Sequence, residues 1–72
     1  MKVKDLQYVI KGHIVLVDTY ENDEVIMHGD MIQIPEEYLN DEVAKIYSKT
    51  LFNEIGHGIY TVISIYNHNS IY

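Results

Sequence analysis

The segment GIYTVISIY, residues 58–66, alternates between two kinds of side chain with the period of two that is typical of a β-strand. One side would carry Ile59, Thr61, Ile63 and Ile65, and the other would carry Tyr60, Val62, Ser64 and Tyr66. We expect Ile59, Ile63 and Ile65 to enter the core, whereas the tyrosine side fits either a protein interface or a second core layer. A strand needs hydrogen-bonding neighbours, so the chain has to form a sheet.

Two earlier segments can supply those neighbours. The stretches HIVLVDTY (13–20) and EVIMHGDMIQI (24–34) are rich in β-branched residues, and the polar residues 21–23 separate them. This pattern predicts a β-hairpin. The continuous apolar run 14–17 predicts a central strand that is covered on both faces. Residues 42–55 are ambiguous, because their apolar spacing fits a helix ending at a glycine and their composition fits a strand.

The remaining segments predict short helices and a loose end. Apolar residues within 3–10 fall near helical spacing and Gly12 follows them, which predicts a short N-terminal helix. Pro35 followed by two acids predicts a short helical turn. The polar tail from residue 67 is expected to fray, apart from Ile71 and Tyr72.

Size and the lack of cysteine limit how the chain can be stabilised. Seventy-two residues form a single small domain spanning 1–72, and a chain without cysteine can form neither disulfides nor a cysteine-based zinc site. Packing, self-association or a site of histidines and carboxylates must supply the stability. No apolar run approaches the roughly 18 residues of a membrane span. We therefore expect a soluble protein of a reducing cytoplasm, without a membrane partner.

The charge distribution favours binding to a basic protein. The net charge is −6, arginine is absent, and nine of the eleven acids lie between residues 12 and 44, where lysine is absent. Direct nucleic-acid binding is disfavoured, because a phosphate backbone needs clustered cations. The alternative is a solvated surface that keeps the domain soluble. The predicted partner-binding residues are Asp18, Glu21, Asp23, Glu24, Glu36, Glu37, Asp41 and Glu42, with Tyr20 and Tyr38.

A histidine and an aspartate two residues apart predict a metal site on the hairpin. With a two-residue turn, His28 would face Val17, and His13 would lie diagonally across from Asp30 on the same face. Zinc accepts two imidazoles and a carboxylate, so we predict His13, His28 and Asp30 as its ligands. Additional candidate ligands are Glu54 and His57. The alternative is that the glycine between His28 and Asp30 ends a strand or forms a bulge, with Asp30 in solvent.

Three stretches, VKDLQYVI, IPEEYLN followed by EV, and YTVISIY, resemble a group of short proteins encoded by phages and mobile elements of Gram-positive bacteria. The resemblance implies a strand for residues 42–55. The predicted class is therefore α+β: an N-terminal short helix, a four-stranded mostly antiparallel sheet and a short helical turn after Pro35. Small acidic phage proteins of this general kind include inhibitors of host defence, anti-CRISPR proteins against Cas9 among them, and some such inhibitors bind zinc.

Catalytic motifs are weak in this chain. No serine lies in a nucleophile-elbow context, and the four glycines are too scattered to hold a phosphate. We therefore expect a phage-encoded inhibitor rather than an enzyme, acting in the host cytoplasm on a basic surface of a larger defence protein, with a Cas9-type nuclease as the first candidate. The alternatives are a structural or self-assembling phage protein, and a small metal-dependent activity at His13, His28 and Asp30.

Overall fold

A four-stranded sheet forms the body of the molecule. The computed structural model describes residues 1–53 and 56–70, and of these it leaves out the side chains of 50–53, 56 and 57. Strand β1 is Ile14–Asp18, β2 is Glu24–Gly29, β3 is Val43–Asn53 and β4 is Gly56–Ile65. Among the described residues the helical elements are 3-10 helices at Val3–Leu6, Thr19–Glu21, Met31–Gln33, Glu36–Tyr38 and His68–Ser70.

The sheet is mixed, with the strand order β2-β1-β4-β3. The β1–β2 and β3–β4 pairs are antiparallel, whereas β1 and β4 run parallel in the centre. The predicted four-stranded sheet is confirmed, and two of its three pairings are antiparallel as expected. The ambiguous segment is a strand over Val43–Asn53, while residues 54 and 55 lie outside the described part of the chain.

The expected N-terminal helix over 3–10 is reduced to the 3-10 helix Val3–Leu6. Val3 and Leu6 are buried, but Val9, which the helical spacing placed on the same face, is exposed. An eight-residue helix is marginal in water, and the chain start is held instead by strand-like contacts, a bridge between Lys2 and Glu42 among them. The turn after Pro35 is present as the 3-10 helix Glu36–Tyr38. With helical structure limited to such turns, the α+β class is not confirmed.

The core lies on one face of the sheet. Ile63 and Ile65 of β4 are buried as predicted. Ile59 is 76% exposed, because β3 and β4 extend beyond the end of β1 and nothing covers Ile59 there. The core residues come from two strands and from the chain segments that cross them: Ile14, Leu16, Ile63 and Ile65 with Val3, Leu6, Met31 and Ile34. The opposite side of the sheet is called the open face below, and the pairing places His13, Val15, Val25, His28, Tyr47 and Tyr60 on it. Val25 and His28 share this face because a β-bulge in β2 lies between them.

The β1–β2 register differs from the predicted one. The connection covers five residues, 19–23, rather than two, because Thr19–Glu21 form a 3-10 turn before Asn22 and Asp23 take left-handed conformations (φ 55° and 61°). Asp18 rather than Glu21 therefore opposes Glu24, a shift of three residues, and a β-bulge opposite Leu16 and Val17 then reduces the shift to two, so that His28 pairs with Val15 instead of Val17. The net shift of two keeps His28 on its predicted face, whereas Val25, between the turn and the bulge, moves to the same face as His28.

Candidate functional site

The acidic residues of the β1–β2 and β3 regions meet at one end of the sheet. Asp18 ends β1 beside Ile65 of β4, and Val43 at the start of β3 pairs with the same Ile65. The acidic stretch 18–24 and the acidic pair 41–42 are therefore neighbours, although more than fifteen positions separate them in the sequence. Asp30 lies at the opposite end, because β2 runs away from this cluster.

A groove of about 400 Å³ opens at this end of the sheet. Three acids from the hairpin, Asp18, Glu21 and Glu24, line it, and Tyr38 approaches from the segment after Pro35. The described lining residues are Asp18, Glu21, Glu24, Val25, Ile26, Tyr38, Asn67 and Ser70, and the groove they form is called the acidic groove below. None of these residues is a lysine, an arginine or a histidine.

Asp18 forms the floor of the groove and is held rigidly. Its side chain is 3% exposed and accepts hydrogen bonds from the Tyr20 backbone N–H at 2.9 Å, from Asn67 Nδ2 at 3.1 Å and from the Ser70 hydroxyl. All three donors are neutral, so the carboxyl group is satisfied without an ion pair. Two of the three come from the C-terminal tail, so Asp18 connects the tail to the sheet.

The tail is therefore docked rather than frayed over its described part. His68–Ser70 form a 3-10 helix, and Asn67 is buried. The His68 imidazole Nδ1 lies 2.9 Å from Asp41 Oδ2, and the His68 backbone N–H donates to the same oxygen at 3.2 Å. The prediction for residues 67–70 was wrong because their polar groups bind buried carboxylates. The prediction for Ile71 and Tyr72 falls outside the described residues.

Tyr38 is placed between the groove and a neighbouring acid. Partial burial raises the pKa of the Tyr38 phenol above its ordinary value, and the nearby negative charge of Glu37 raises it further. The phenol thus remains a neutral hydrogen-bonding group beside the carboxylates of the groove. The Tyr38 and His68 rings lie 5.8 Å apart, which ties the segment after Pro35 to the tail.

Several predicted partner-binding residues lie outside the groove or are engaged elsewhere. Asp23 is 3.3 Å from Lys45 Nζ and also accepts a hydrogen bond from Ser64, and Glu42 pairs with the N-terminal ammonium at 3.1 Å. Asp41 is buried against His68. The remaining three are Glu36 and Glu37, both exposed, and Tyr20, whose ring lies 5.5 Å from that of Tyr66. The structure thus brings four of the ten predicted residues into one groove: Asp18, Glu21, Glu24 and Tyr38.

Two of the three predicted metal ligands come together on the open face. Because His28 pairs with Val15, His13 lies on the diagonal, and the two imidazole centres are 5.5 Å apart. With Val15, Val25 and Tyr60 they line a groove of about 220 Å³, called the histidine groove below. In the described part of the chain, no three histidine or carboxylate side chains converge in a way that could hold a metal ion.

Asp30, the third predicted ligand, begins the turn that follows β2. It is the N-cap of the 3-10 helix Met31–Gln33, and its backbone N–H donates to Gln33 Oε1 at 2.8 Å. Gly29 ends β2 with φ 144°, and a Cβ there would collide with Gln33 Oε1. Gly29 therefore marks the end of a strand, which was the alternative to a metal site for residues 28–30 in the sequence analysis. The other candidate ligands, Glu54 and the side chain of His57, lie outside the described residues.

The sequence analysis missed the tail and one tyrosine. Asn67 and Ser70 complete the acidic groove, and Tyr60 joins the two histidines, with its ring edge-on to that of His13 at 6.4 Å. The alternation of β4 predicted the face on which Tyr60 lies. Its position beside the histidines could not be predicted without knowing that β4 pairs with β1. Nothing local in the tail distinguishes Asn67 and Ser70 from solvated residues.

A scan against protein-family models, a search of curated proteins and a search of solved structures found no match to this chain. Across residues 1–53 and 56–70, no helix has the length and apolar character needed to cross a membrane.

Proposed function

We propose that this protein acts by binding, and that the acidic groove receives cationic side chains from a larger protein. The observation that carries this proposal is a groove whose lining includes the carboxylates of Asp18 and Glu24 and, among the described residues, no lysine, arginine or histidine. Negative charge in a concave, partly desolvated site attracts a cation more strongly than the same charge on an open surface. A lysine or arginine supplied by a partner would place a positive charge beside these two carboxylates.

The chemistry of the lining favours arginine in particular. A guanidinium group donates hydrogen bonds in a planar fork that matches carboxylates, and it also stacks on aromatic rings. The acidic groove offers both kinds of contact, carboxylates from the hairpin and the ring of Tyr38. Asp18 is already held by three hydrogen bonds, so it would not have to be ordered on binding.

The rest of the acidic end would steer the encounter. The chain has a net charge of −6, and exposed acids such as Glu36 and Glu37 lie near the groove lined by Tyr38. Gathered charge of one sign raises the association rate with an oppositely charged surface and has less effect at high salt. This division of roles predicts that groove residues control the dissociation rate, whereas exposed acids outside it control the association rate.

The target class comes from the resemblance to phage proteins. It implies a host defence protein, and a Cas9-type nuclease is the first candidate because such nucleases hold guide and target strands in positively charged channels. An acidic protein can occupy a channel of that kind without contacting bases. In this proposal the protein is an inhibitor that competes with nucleic acid and catalyses no reaction itself.

The test compares two charge reversals. Glu24→Lys lies in the groove, whereas Glu36→Lys makes the same change of charge on an exposed residue outside the groove lining. An exposed ion pair contributes roughly 0.2–1 kcal/mol, so reversing one charge should weaken binding about 2- to 30-fold. Binding of each variant to a purified Cas9-type nuclease, with and without its guide RNA, is measured by surface plasmon resonance at two salt concentrations.

The proposal expects Glu24→Lys to raise the dissociation rate and Glu36→Lys to change mainly the association rate. Equal effects of the two reversals on the dissociation rate would contradict the role of the groove. If the wild-type protein does not bind the nuclease, that target is excluded. The wider binding proposal is then tested by comparing the proteins that wild type and Glu24→Lys retain from a host lysate.

A further inference from the structure

The histidine groove contains a pair of histidines that has no part in the binding proposed for the acidic groove. Two imidazoles, His13 and His28, lie side by side on the open face, and the groove they line with Tyr60 shares only Val25 with the acidic groove. Both histidines are exposed. Among the described residues, no side chain forms a hydrogen bond or an ion pair with either imidazole. The ring nitrogens of both histidines can therefore bind a ligand.

We propose that His13 and His28 together bind a divalent transition-metal ion of the Zn²⁺ type. A zinc–nitrogen bond is about 2.0–2.1 Å long, and the ring centre lies about 1.2 Å beyond the bonded nitrogen. Two imidazoles on one tetrahedral ion therefore have their centres about 5.3 Å apart. The centres of His13 and His28 are 5.5 Å apart, with ring planes inclined by 42°. The separation of the two ring centres therefore matches that of two imidazoles bound to one ion.

The ligand set differs from the one predicted from the sequence. Asp30 serves as the cap of the following turn, so the proposed site has two protein ligands instead of three. The remaining coordination positions would face the histidine groove, which has a volume of about 220 Å³ and therefore has room for water or for a side chain of another molecule. Imidazole ligands suit zinc, copper and nickel, whereas magnesium and calcium require oxygen ligands.

The backbones of both histidines are attached to the sheet. His28 is in β2, and the His13 carbonyl accepts a hydrogen bond from the Thr61 N–H at 3.2 Å, so both backbones are fixed to the sheet. The Tyr60 ring lies edge-on to the His13 ring, with the two ring centres 6.4 Å apart. Ligands held by a sheet lose less conformational freedom on binding than ligands on a loop.

The test is calorimetric titration of the full chain with ZnCl₂. We expect one zinc ion per chain, and at least an approximately tenfold weaker affinity in His13→Ala and in His28→Ala, because even the loss of an indirect partner of a metal ligand costs about 10- to 100-fold. His68→Ala is the matched control, because His68 lies against Asp41 outside the histidine groove, and it should bind zinc like the wild type. Circular dichroism should show that all three variants fold, since His13 and His28 are exposed.

A second measurement counts the ligands directly. With one equivalent of Cu²⁺, electron paramagnetic resonance should show two imidazole nitrogens in the wild type and one in each single variant of the pair. The proposal is overturned if His13→Ala/His28→Ala binds zinc as tightly as the wild type, if His68→Ala alone abolishes binding, or if the wild type does not bind zinc. None of these results depends on the partner of the acidic groove, so the two proposals fail independently.

Discussion

Replacing Asp18 by asparagine should destabilise the whole domain and release its tail. The buried carboxyl group accepts hydrogen bonds from Tyr20, Asn67 and Ser70, two of them at the same oxygen. An asparagine amide has nearly the same shape but presents only one acceptor oxygen. At least one of the three bonds is therefore lost, and an amide N–H then faces another donor.

The expected loss follows from these contacts. A hydrogen bond to a charged group contributes about 1.5–3 kcal/mol, and the bonds that survive become weaker neutral ones, so we predict a loss of about 2–4 kcal/mol. A 72-residue domain has a free energy of unfolding of about 4–11 kcal/mol, so the loss is a large part of the total. Since 1 kcal/mol corresponds to about 4–8 °C at this size, Tm should fall by about 10–30 °C.

The assay is thermal unfolding followed by circular dichroism, with hydrogen exchange of the Ser70 backbone N–H as a local readout. That N–H donates to the Asn67 carbonyl in the tail turn, so it should exchange much faster when the tail is released. Glu24→Gln is the control, because it removes one charge directly across the ladder from Asp18 at an exposed position. If Asp18→Asn lowers Tm by less than about 5 °C, the role assigned to this carboxylate is refuted. An equal decrease in Tm for Glu24→Gln would refute it as well.

Four further substitutions test other parts of the structure. Gly29→Ala should cost about 1–3 kcal/mol in urea unfolding, because φ is 144° and the added Cβ would collide with Gln33. Ile63→Ala should lower the free energy of unfolding by about 2–5 kcal/mol because Ile63 is buried, whereas Ile59→Ala should lower it by less than about 0.5 kcal/mol because Ile59 is exposed. Equal losses for the two substitutions would contradict this difference in burial. The raised pKa of Tyr38 means that its contribution is complete below about pH 10 and is lost as pH rises through the folded-state pKa. Tyr38→Phe should therefore lose less stability than the wild type as the pH rises above about 10, and identical pH profiles would contradict this.

The strands could be predicted because their signal is local. The alternation of residues 58–66 gave the correct faces for β4, and the β-branched segments gave both strands of the hairpin. Ile59 was misplaced because alternation predicts the face and does not predict where the neighbouring strand ends. The register was displaced at His28 by two residues because the sequence indicates neither the 3-10 turn that lengthens the connection to five residues nor the β-bulge that follows in β2.

The sites depend on contacts between distant parts of the chain. Acids 18–24 and 41–42 become neighbours only through the parallel pairing of β1 with β4, which has no local sequence signal. The tail seemed disordered because its partners are buried carboxylates elsewhere in the sequence. The histidine pair was predictable, since a shift of two residues preserves the face, whereas the third ligand was lost because β2 ends at Gly29 and Asp30 caps the following turn.

The central claim, that the acidic groove accepts cationic side chains, is tested most directly by nuclear magnetic resonance. The ¹⁵N-labelled protein is titrated with a short arginine-rich peptide at low and at physiological salt, and with a neutral peptide of the same length. We predict that the largest shifts fall on the backbone amides of the groove lining, around Glu21, Glu24, Tyr38 and Asn67, and that they are absent with the neutral peptide. Equal shifts at all exposed acids, or the largest shifts on the open face, would contradict the account.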